Sequence, residues 1–383
     1  MNAPSARRET QGTCNTCLQP VPAAVVVQDG DAVLEKRCPE HGLTTQLLSR
    51  HGEEWAELDR FYFDVNGESW PQRDYIVRMT ERCNLDCPIC LAKANTEDTP
   101  DLDLEGLEAM LSSRRGIKVA LMAAEPTLRP DLEDWIRRVK EAGHIAALHT
   151  NGLRLADPAY ARRIKDAGVD EVFLQFDGFN EDAHRILRGR PLVKARMKAM
   201  ENLRSLDVAT SLIVVVGRGL NEEQVGEVMR FALEPENSHV REVFYLGLRL
   251  LGSARDAFVR GGGELEDAAL MPDEVLDLVC EQVPAIKRAD VRRFNKLYFA
   301  MLSAFKVKKC LYVQHYIMLR GDDGDVPIGD VLDLEALEAA AERYRSDFQR
   351  KPRRARARLV AALARQALRP KALASLVDLA RLQ

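Results

Sequence analysis

The 383-residue chain has no run of about 18 apolar residues, so no membrane-spanning helix is expected. Its opening stretch, Met1 to Thr13, is short and polar, with Arg7 and Arg8 and no apolar h-region, so no secretory signal is expected either. Charge of one sign is missing too. Lys and Arg number 55 against 59 Asp and Glu, a formal net charge of −4 that excludes a whole-chain basic signature for nucleic acid. Cysteine is scarce, with eight residues, too few for a disulfide scaffold at this length. What is present, 46% hydrophobic and 30% charged residues, is a globular composition that excludes a mostly disordered chain. The length fits two or three domains.

Six of the cysteines form two tight groups, Cys14, Cys17 and Cys38, then Cys83, Cys87 and Cys90. Clustered thiols without an export signal read as metal or cluster ligands in a reducing cytoplasm. Residues 1–70 read as a small metal-binding β-ribbon. Val21 to Val27, a turn at Asp29-Gly30-Asp31 and Ala32-Val33-Leu34 predict a β-hairpin, with Cys14-x-x-Cys17 before it and Cys38-Pro39-Glu40-His41 after it. Two knuckles at the ends of a hairpin bring four ligands onto one ion, and Cys14, Cys17, Cys38 and His41 make a Cys3His set for zinc or a rubredoxin-like iron. His51 is an alternative fourth ligand. A module this small needs metal for stability that packing does not supply.

From residue 71 to 270 strands and helices alternate. Candidate strands are Tyr75–Met79, Ile117–Ala123, Ile145–His149, Val169–Phe176, Val208–Val216 and Val240–Leu246. Helical periodicity joins Leu132, Ile136 and Val139, and again Val193, Met197 and Met200. This alternation predicts a parallel sheet with right-handed crossovers, doubly wound or curled into a barrel. Gly143, Gly168 and Gly178 fall where elements should end, and residues 253–270, with Gly261-Gly262-Gly263, read as a flexible break. Residues 271–383 read as a helical C-terminal extension, whose segment Phe348 to Val377 holds nine Lys or Arg and no acid.

After the first strand comes Cys83-Asn84-Leu85-Asp86-Cys87-Pro88-Ile89-Cys90, a CxxxCxxC. Three thiolates on one loop can hold three irons of a 4Fe–4S cube and leave the fourth open to an exogenous ligand. A zinc site would want a fourth protein ligand, and none stands nearby in the sequence.

This spacing after the first strand of a βα repeat resembles the radical S-adenosylmethionine superfamily, over roughly residues 74–250. The resemblance implies a partial (β/α)6 TIM-like barrel, a 4Fe–4S cluster on Cys83, Cys87 and Cys90, and S-adenosylmethionine chelating the open iron. It implies an enzyme that reduces the cluster, cleaves the sulfonium and generates a 5′-deoxyadenosyl radical, which abstracts hydrogen from an unactivated C–H bond. Met122-Ala123-Ala124-Glu125-Pro126 stands where the family has Gly-Gly-Glu-Pro, so Ala123, Ala124 and Glu125 are expected at the methionine amino group, with alanines in place of glycines. His149-Thr150-Asn151-Gly152 is similar to the third-strand Thr-Asn-Gly, and Gln175-Phe176-Asp177-Gly178 to the fourth-strand segment. Asn151 and Gln175 are thus expected to face cofactor, and Asp177 to be catalytic or a strand-end cap. Val215, before Gly217 and Asn221, is expected near the adenine.

The ribbon ending in Cys-Pro-Glu-His-Gly, with Leu187-Arg188-Gly189 and Lys309-Cys310-Leu311-Tyr312-Val313, is similar to the tetraether-synthase-like branch. That likeness implies lipid carbon–carbon coupling. Cys310 is a candidate catalytic residue, as hydrogen donor or holder of a substrate fragment, and the Arg-rich tail fits peripheral contact with an anionic membrane surface on an otherwise cytoplasmic protein. Cys310 as a packed core residue, and the tail as a solvated or packed helix, are the plainer alternatives. With only Cys280 and Cys310 left over, a second four-thiolate cluster is excluded. Two further readings stand: a tailoring enzyme of cofactor or natural-product biosynthesis, or a cluster- and zinc-containing sensor that has lost radical chemistry. Expected partners are a small-molecule or lipid substrate and a reductant such as flavodoxin or ferredoxin, and no nucleic acid.

Overall fold

The computed structural model describes residues 6–66, 74–96, 100–111, 116–253, 267–307, 309–320 and 324–367. The chain forms two compact units, one made of residues 1–71 with 271–383 and the other of residues 72–270. The N-terminal ribbon and the C-terminal helices, expected as separate pieces, therefore belong to one unit.

The ribbon is a four-stranded antiparallel sheet of β1 (Ala6–Thr13), β2 (Pro20–Gln28), β3 (Asp31–Cys38) and β4 (Gly42–Ser49), in that order. The expected hairpin is β2–β3. Its register pairs Gln28 with Asp31, leaving Asp29 and Gly30 as central residues at φ +52° and +91°, the left-handed pair that the Asp-Gly sequence favours. The flanking β1 and β4 were not expected. The polar β1 carries no strand signal and β4 lacks a clean alternation, and pairing with the Val-rich centre makes both strands. Helix α1 (Gly52–Val65) then lays Ala56 on Val27 and Ala32 of the sheet.

In the second unit, β5 (Asp74–Arg78) is followed by α2 (Leu104–Leu111), β6 (Lys118–Met122), α3 (Leu132–Glu141), β7 (Ile145–Thr150), α4 (Pro158–Asp166), β8 (Glu171–Gln175), α5 (Glu181–Arg188), α6 (Val193–Ser205), β9 (Ala209–Val216), α7 (Val225–Leu233) and β10 (Val240–Gly247). All six expected strands form, each parallel to its neighbour, in unbroken sequence order from β5 to β10. A doubly wound sheet would reverse that order at a switch point. The unbroken order is that of a partial (β/α)6 barrel, and right-handed crossovers then place every helix on one face. On that face Val119, Leu121, Ala146, Leu148, Val172, Leu174 and Leu212 are fully buried. The other, inner face carries the alternate residues of each strand.

Local signals set the boundaries. Asp157 caps α4, accepting from the Ala159 N–H at 2.9 Å, with Pro158 in the first turn. Leu132, Ile136 and Val139 of α3 are buried as expected. In α6 the buried stripe is Arg196, Ala199, Met200 and Leu203, so Val193 and Met197 are not its centre. The arginine hides the helical period because an ion pair described below lets it enter the core. The glycine run 261–263 lies outside the described residues.

The first unit resumes with α8 (Pro272–Gln282), α9 (Arg288–Ala304), the short pair β11 (Met318–Leu319) and β12 (Val326–Pro327), then α10 (Ile328–Val331), α11 (Leu334–Arg343), α12 (Asp347–Arg350) and α13 (Pro352–Ala367). Phe61, Tyr62 and Val65 of α1 share one core with Leu297, Phe299 and Ala300 of α9 and Leu337 of α11. That shared core is why ribbon and extension form one unit. Lys296 enters it at 1% exposure, bonded to Glu57, Glu338 and Glu342. Ala355 and Leu359 pack α13 onto the same core, and Arg356 donates to the Ala304 carbonyl. Among the described residues no helix is long and apolar enough to cross a membrane.

Candidate functional site

The ribbon gathers Cys14, Cys17, Cys38 and His41 with their ligand atoms all within 4.8 Å of one another. Cys17 Sγ lies 3.9 Å from Cys38 Sγ, and His41 Nδ1 lies 3.4 Å from Cys38 Sγ and 3.8 Å from Cys14 Sγ. Tetrahedral bonds of 2.3 Å to sulfur and about 2.0 Å to nitrogen imply edges of roughly 3.5–3.8 Å, so the cage fits one ion. Backbone N–H groups of Cys17 and Thr16 lower the Cys14 thiol to about 6, which favours the thiolate a metal requires. His51 is not the fourth ligand: its Nε2 pairs with Asp277 at 2.9 Å.

The second cysteine group lies on the loop after β5. Among the described residues the ribbon is the one place where three or more candidate ligands gather closely enough for a single ion. Cys83, Cys87 and Cys90 lie within electrostatic reach of one another on their loop. Leu85 N–H reaches Cys83 Sγ and Ala94 N–H reaches Cys90 Sγ, each at 3.4 Å. Asn95, at φ +63°, staples the loop: its Oδ1 accepts from Cys83 N–H at 2.8 Å and its Nδ2 donates to the Cys83 carbonyl at 3.1 Å. Ile89, between the last two cysteines, is buried with Leu187, Leu248 and Ala268. Ser253 N–H donates to the Cys90 carbonyl at 2.8 Å, and the approach is so close that a Cβ on Gly252 would meet that oxygen at 2.4 Å. Burial raises the Cys83 thiol to about 11, with Glu125, Cys87 and Cys90 adding to the effect. Burial also raises Cys87, opposed by the Arg188 and Arg196 guanidinium groups.

At the end of β6, Ala123 and Ala124 adopt φ +73° and +37°, the left-handed backbone of the glycines they replace. Each costs about 1–2 kcal/mol, in a backbone region that glycine enters freely. Glu125 is 1% exposed. Its Oε1 accepts from Thr127 N–H, Thr127 Oγ1 and Thr150 Oγ1 at 3.1, 2.6 and 2.7 Å, and its Oε2 from Asn151 N–H at 2.7 Å. Burial raises its pKa against those four donors. Glu125 thus ties β6 to β7, and its own N–H holds the Arg82 carbonyl beside Cys83. Asn151 continues the link, donating to Asn84 Oδ1 at 2.7 Å with Cys83 Sγ 3.8 Å away.

Asp177 is fully buried and pairs with two arginines. Arg188 binds it through two nitrogens at 2.8 and 2.9 Å, and Arg196 through one at 3.0 Å. Val215 N–H and the Gln175 amide donate to Asp177 Oδ1 at 3.1 and 3.3 Å. Burial works to raise Asp177, but Arg188 and Arg196 outweigh it and hold the carboxyl below its usual range. These contacts fix Asp177 in place at the strand end. Gln175 and Val215 are both tied to it, and Asn221 donates to the Asp177 and Val215 carbonyls at 2.8 and 2.9 Å. Two guanidiniums against one carboxylate leave one excess positive charge. Among the described residues, Nε and one terminal nitrogen of the fully buried Arg196 have no partner. That orphaned cation lies within electrostatic reach of Cys87. An anionic cluster of three thiolates fits beside it; three neutral thiols leave the charge uncompensated.

The structure thus brings Cys83, Glu125 and Asn151 into one bonded network, with Ala123 and Ala124 directly before Glu125, and Gln175, Asp177 and Val215 into another that reaches Cys87 through Arg188. Cys310 is exposed and belongs to the ribbon unit. Sequence reasoning missed Asn84, Asn95, Arg188 and Arg196 as site residues; the asparagines within and after CxxxCxxC were the available signal.

Residues 77–232 match the radical SAM superfamily model and residues 6–50 the HMPTM N-terminal zinc ribbon domain. A 7,8-dihydro-6-hydroxymethylpterin dimethyltransferase of Methanocaldococcus jannaschii is 29% identical over 255 residues, 59% of this chain and 50% of that protein. A probable GTP 3′,8-cyclase of Pyrococcus abyssi is 30% identical over 165 residues, 42% of this chain and 53% of that protein. The chain therefore spans about half the length of these relatives. The solved Streptococcus suis SuiB bound to S-adenosylmethionine is similar over 56% of this chain and 47% of its own, at 17% identity and a TM-score of 0.45. The chain carries a radical SAM domain at residues 77–232 behind an N-terminal zinc ribbon, and is homologous to radical SAM enzymes.

Proposed function

We propose that the protein uses this domain to abstract hydrogen from a small polar molecule, as a tailoring enzyme. The observation that carries this is the bonded network from Glu125 through Asn151 to Cys83, on the loop that presents the three thiols of CxxxCxxC. When bound, a reduced 4Fe–4S cluster supplies the electron that splits S-adenosylmethionine into methionine and a 5′-deoxyadenosyl radical, the hydrogen-abstracting species. Cys83, Cys87 and Cys90 hold it. Ala123 and Ala124 offer backbone carbonyls to the methionine amino group, and the strand clamp of Glu125 fixes where those carbonyls point. Asn151 orients Cys83. Arg188 and Arg196 compensate negative charge at Cys87 and, held by Asp177, stay out of solvent. The electron comes from a carrier of the flavodoxin or ferredoxin kind. Zinc occupies the Cys3His cage as a structural ion, since four protein ligands leave no open position.

Two observations weigh between the alternatives. Alanines at glycine-like φ support retained cofactor binding over a sensor that has lost radical chemistry. The inner face of the sheet is polar, with Lys118 and Ser211 bonded to Glu171 and Gln175 bonded to Asp177, a lining less suited to an acyl chain than an apolar one. Lipid coupling, and a membrane role for the basic face of α13, have no comparable support.

The test is anaerobic: the protein is reconstituted with iron and sulfide, reduced with S-adenosylmethionine, and assayed for 5′-deoxyadenosine. The wild type forms it and Cys83→Ala does not. Formation undiminished in that variant overturns the reading.

A further inference from the structure

The barrel buries more positive charge than its own contacts explain. Arg188, in the last turn of α5, and the fully buried Arg196 of α6 share the single carboxylate of Asp177. Arg196 Nη1 donates to Asp177 Oδ2 at 3.0 Å and lies 3.4 Å from His184 Nδ1. The other ring nitrogen of His184, Nε2, stands 3.0 Å from the Gly178 carbonyl and must carry the proton to bond there. The nitrogen that faces Arg196 is therefore a bare acceptor and brings no negative charge. Among the described residues Arg196 Nε and Nη2 have no partner. Two guanidiniums against one carboxylate are a poor way to stabilise a core, since apolar side chains of similar volume do as well or better. An excess buried charge calls for a counter-charge nearby.

The cysteine loop is the neighbour placed to receive it, because three consecutive residues at the end of α5 face that loop. Leu187 is buried with Ile89, which stands between the second and third cysteines. Gly189, at φ +80°, comes so near that a Cβ there would touch the Asp86 carbonyl at 3.4 Å and the Pro88 ring at 3.8 Å, the residues on either side of Cys87. Arg188 lies between Leu187 and Gly189. Its guanidinium is bidentate on Asp177 and within hydrogen-bonding reach of the Cys87 sulfur. Arg196 acts on the same thiol through its charge, and both arginines favour the thiolate there.

We infer that Arg188 and Arg196, anchored by Asp177, set the reduction potential of the 4Fe–4S cluster held at Cys87. The inference rests on the radical-enzyme reading and adds to it what the excess charge does. One electron added to a cluster on three thiolates makes it more negative, and a positive charge in a low-dielectric interior favours that state. Solvent screens little of the effect, because Arg188 is 6% exposed and Arg196 not at all. Asp177 works in the opposite sense: it fixes both guanidiniums in place and offsets one of their two charges. Neither arginine touches the reacting atoms. Each acts through Cys87.

The test is an anaerobic redox titration of the full chain, reconstituted with iron and sulfide and without S-adenosylmethionine, followed by the electron paramagnetic resonance signal of the reduced cluster. Arg196→Gln, which removes the charge, lowers the ratio of reduced to oxidised cluster at fixed potential roughly tenfold, a midpoint about 59 mV more negative. Arg188→Gln moves it the same way. Arg196→Lys, which keeps the charge, stays near the wild type. Asp177→Asn removes the negative charge and moves the midpoint to more positive values. Full iron loading shows that each variant holds its cluster. An unchanged midpoint in fully loaded Arg196→Gln overturns the inference. Shifts of Arg196→Gln and Asp177→Asn in the same direction also overturn it, because they report water entering a loosened core and not charge. If Asp177→Asn does not fold, the Arg196 pair decides, and equal shifts in Gln and Lys overturn the inference. A wild type that assembles no titratable cluster contradicts the radical-enzyme reading beneath it, whereas a cluster indifferent to these charges leaves that reading standing.

Discussion

The chain holds two cysteine sites built on opposite plans. In the ribbon, knuckles from two ends of a hairpin converge until four ligand atoms lie within 4.8 Å. In the barrel, three thiols come from one loop, and two arginines that share the single Asp177 carboxylate lie within electrostatic reach of Cys87. The first plan closes a coordination shell, and the second leaves one open. Geometry at the ribbon is set by antiparallel pairing of β2 with β3, which needs only local sequence. Geometry at the barrel loop is set by three strand ends and two helices, so it depends on long-range bonds through Glu125, Asn151 and Arg188.

This contrast can be broken from either side. The largest effect is expected in the ribbon. Cys38→Ala should eliminate metal binding there and cost on the order of several kcal/mol in its unit, because metal supplies stability that a small sheet lacks. Zinc content with a denaturant curve measures both, and an unchanged curve would show the cage to be ornamental. In the barrel, Asp177→Asn leaves two guanidinium groups buried without a counter-charge, at about 3–5 kcal/mol. Urea unfolding should show a smaller loss for cluster-loaded than for cluster-free protein, since the cluster takes over part of the compensation. The pH dependence has a definite sign. With its folded pKa below the ordinary carboxylate value, Asp177 contributes its stability fully above that ordinary value and loses it only as pH falls through the lower, folded one. Acid unfolding of Asp177→Asn should lack that component.

Gly252→Ala probes the loop without touching a ligand. Its Cβ meets the Cys90 carbonyl at 2.4 Å, a backbone atom that cannot swing away, so the loop must shift. Iron content should drop while ribbon metal is unaffected; equal loss of both would mean a folding defect and not a displaced loop. The smallest effect is at the altered strand end. Ala123→Gly and Ala124→Gly relieve left-handed alanines at some cost in unfolded-chain entropy, and each should stabilise by roughly 0.5–1 kcal/mol. A thermal shift in the opposite direction would mean that the methyl groups pack to advantage.

Much of this was legible in the sequence because it rests on local signals. The Val-rich hairpin, the Asp-Gly turn, the alternation that yields six parallel strands and both cysteine spacings follow from periodicity and ligand count. His41 in place of His51 needed structure, since only the fold shows His51 spent on Asp277. Illegible features were those that local rules forbid. Arg196 occupies a core position that helical periodicity assigns to an apolar residue, and only Asp177, nineteen residues earlier, makes that tolerable. The union of ribbon and C-terminal helices depends on Phe61 meeting Leu297 and Leu337, contacts no window of sequence contains. Polar β1 is a strand by partnership, not propensity.

The measurement that bears most directly on the account is the metal content of paired cysteine variants. Wild type reconstituted with iron, sulfide and zinc should hold about four irons and one zinc per chain. Cys83→Ala should lose the cluster iron and keep the zinc, and Cys38→Ala should lose the zinc. Iron retained by Cys83→Ala, or zinc released by it, would contradict two independent sites of opposite design.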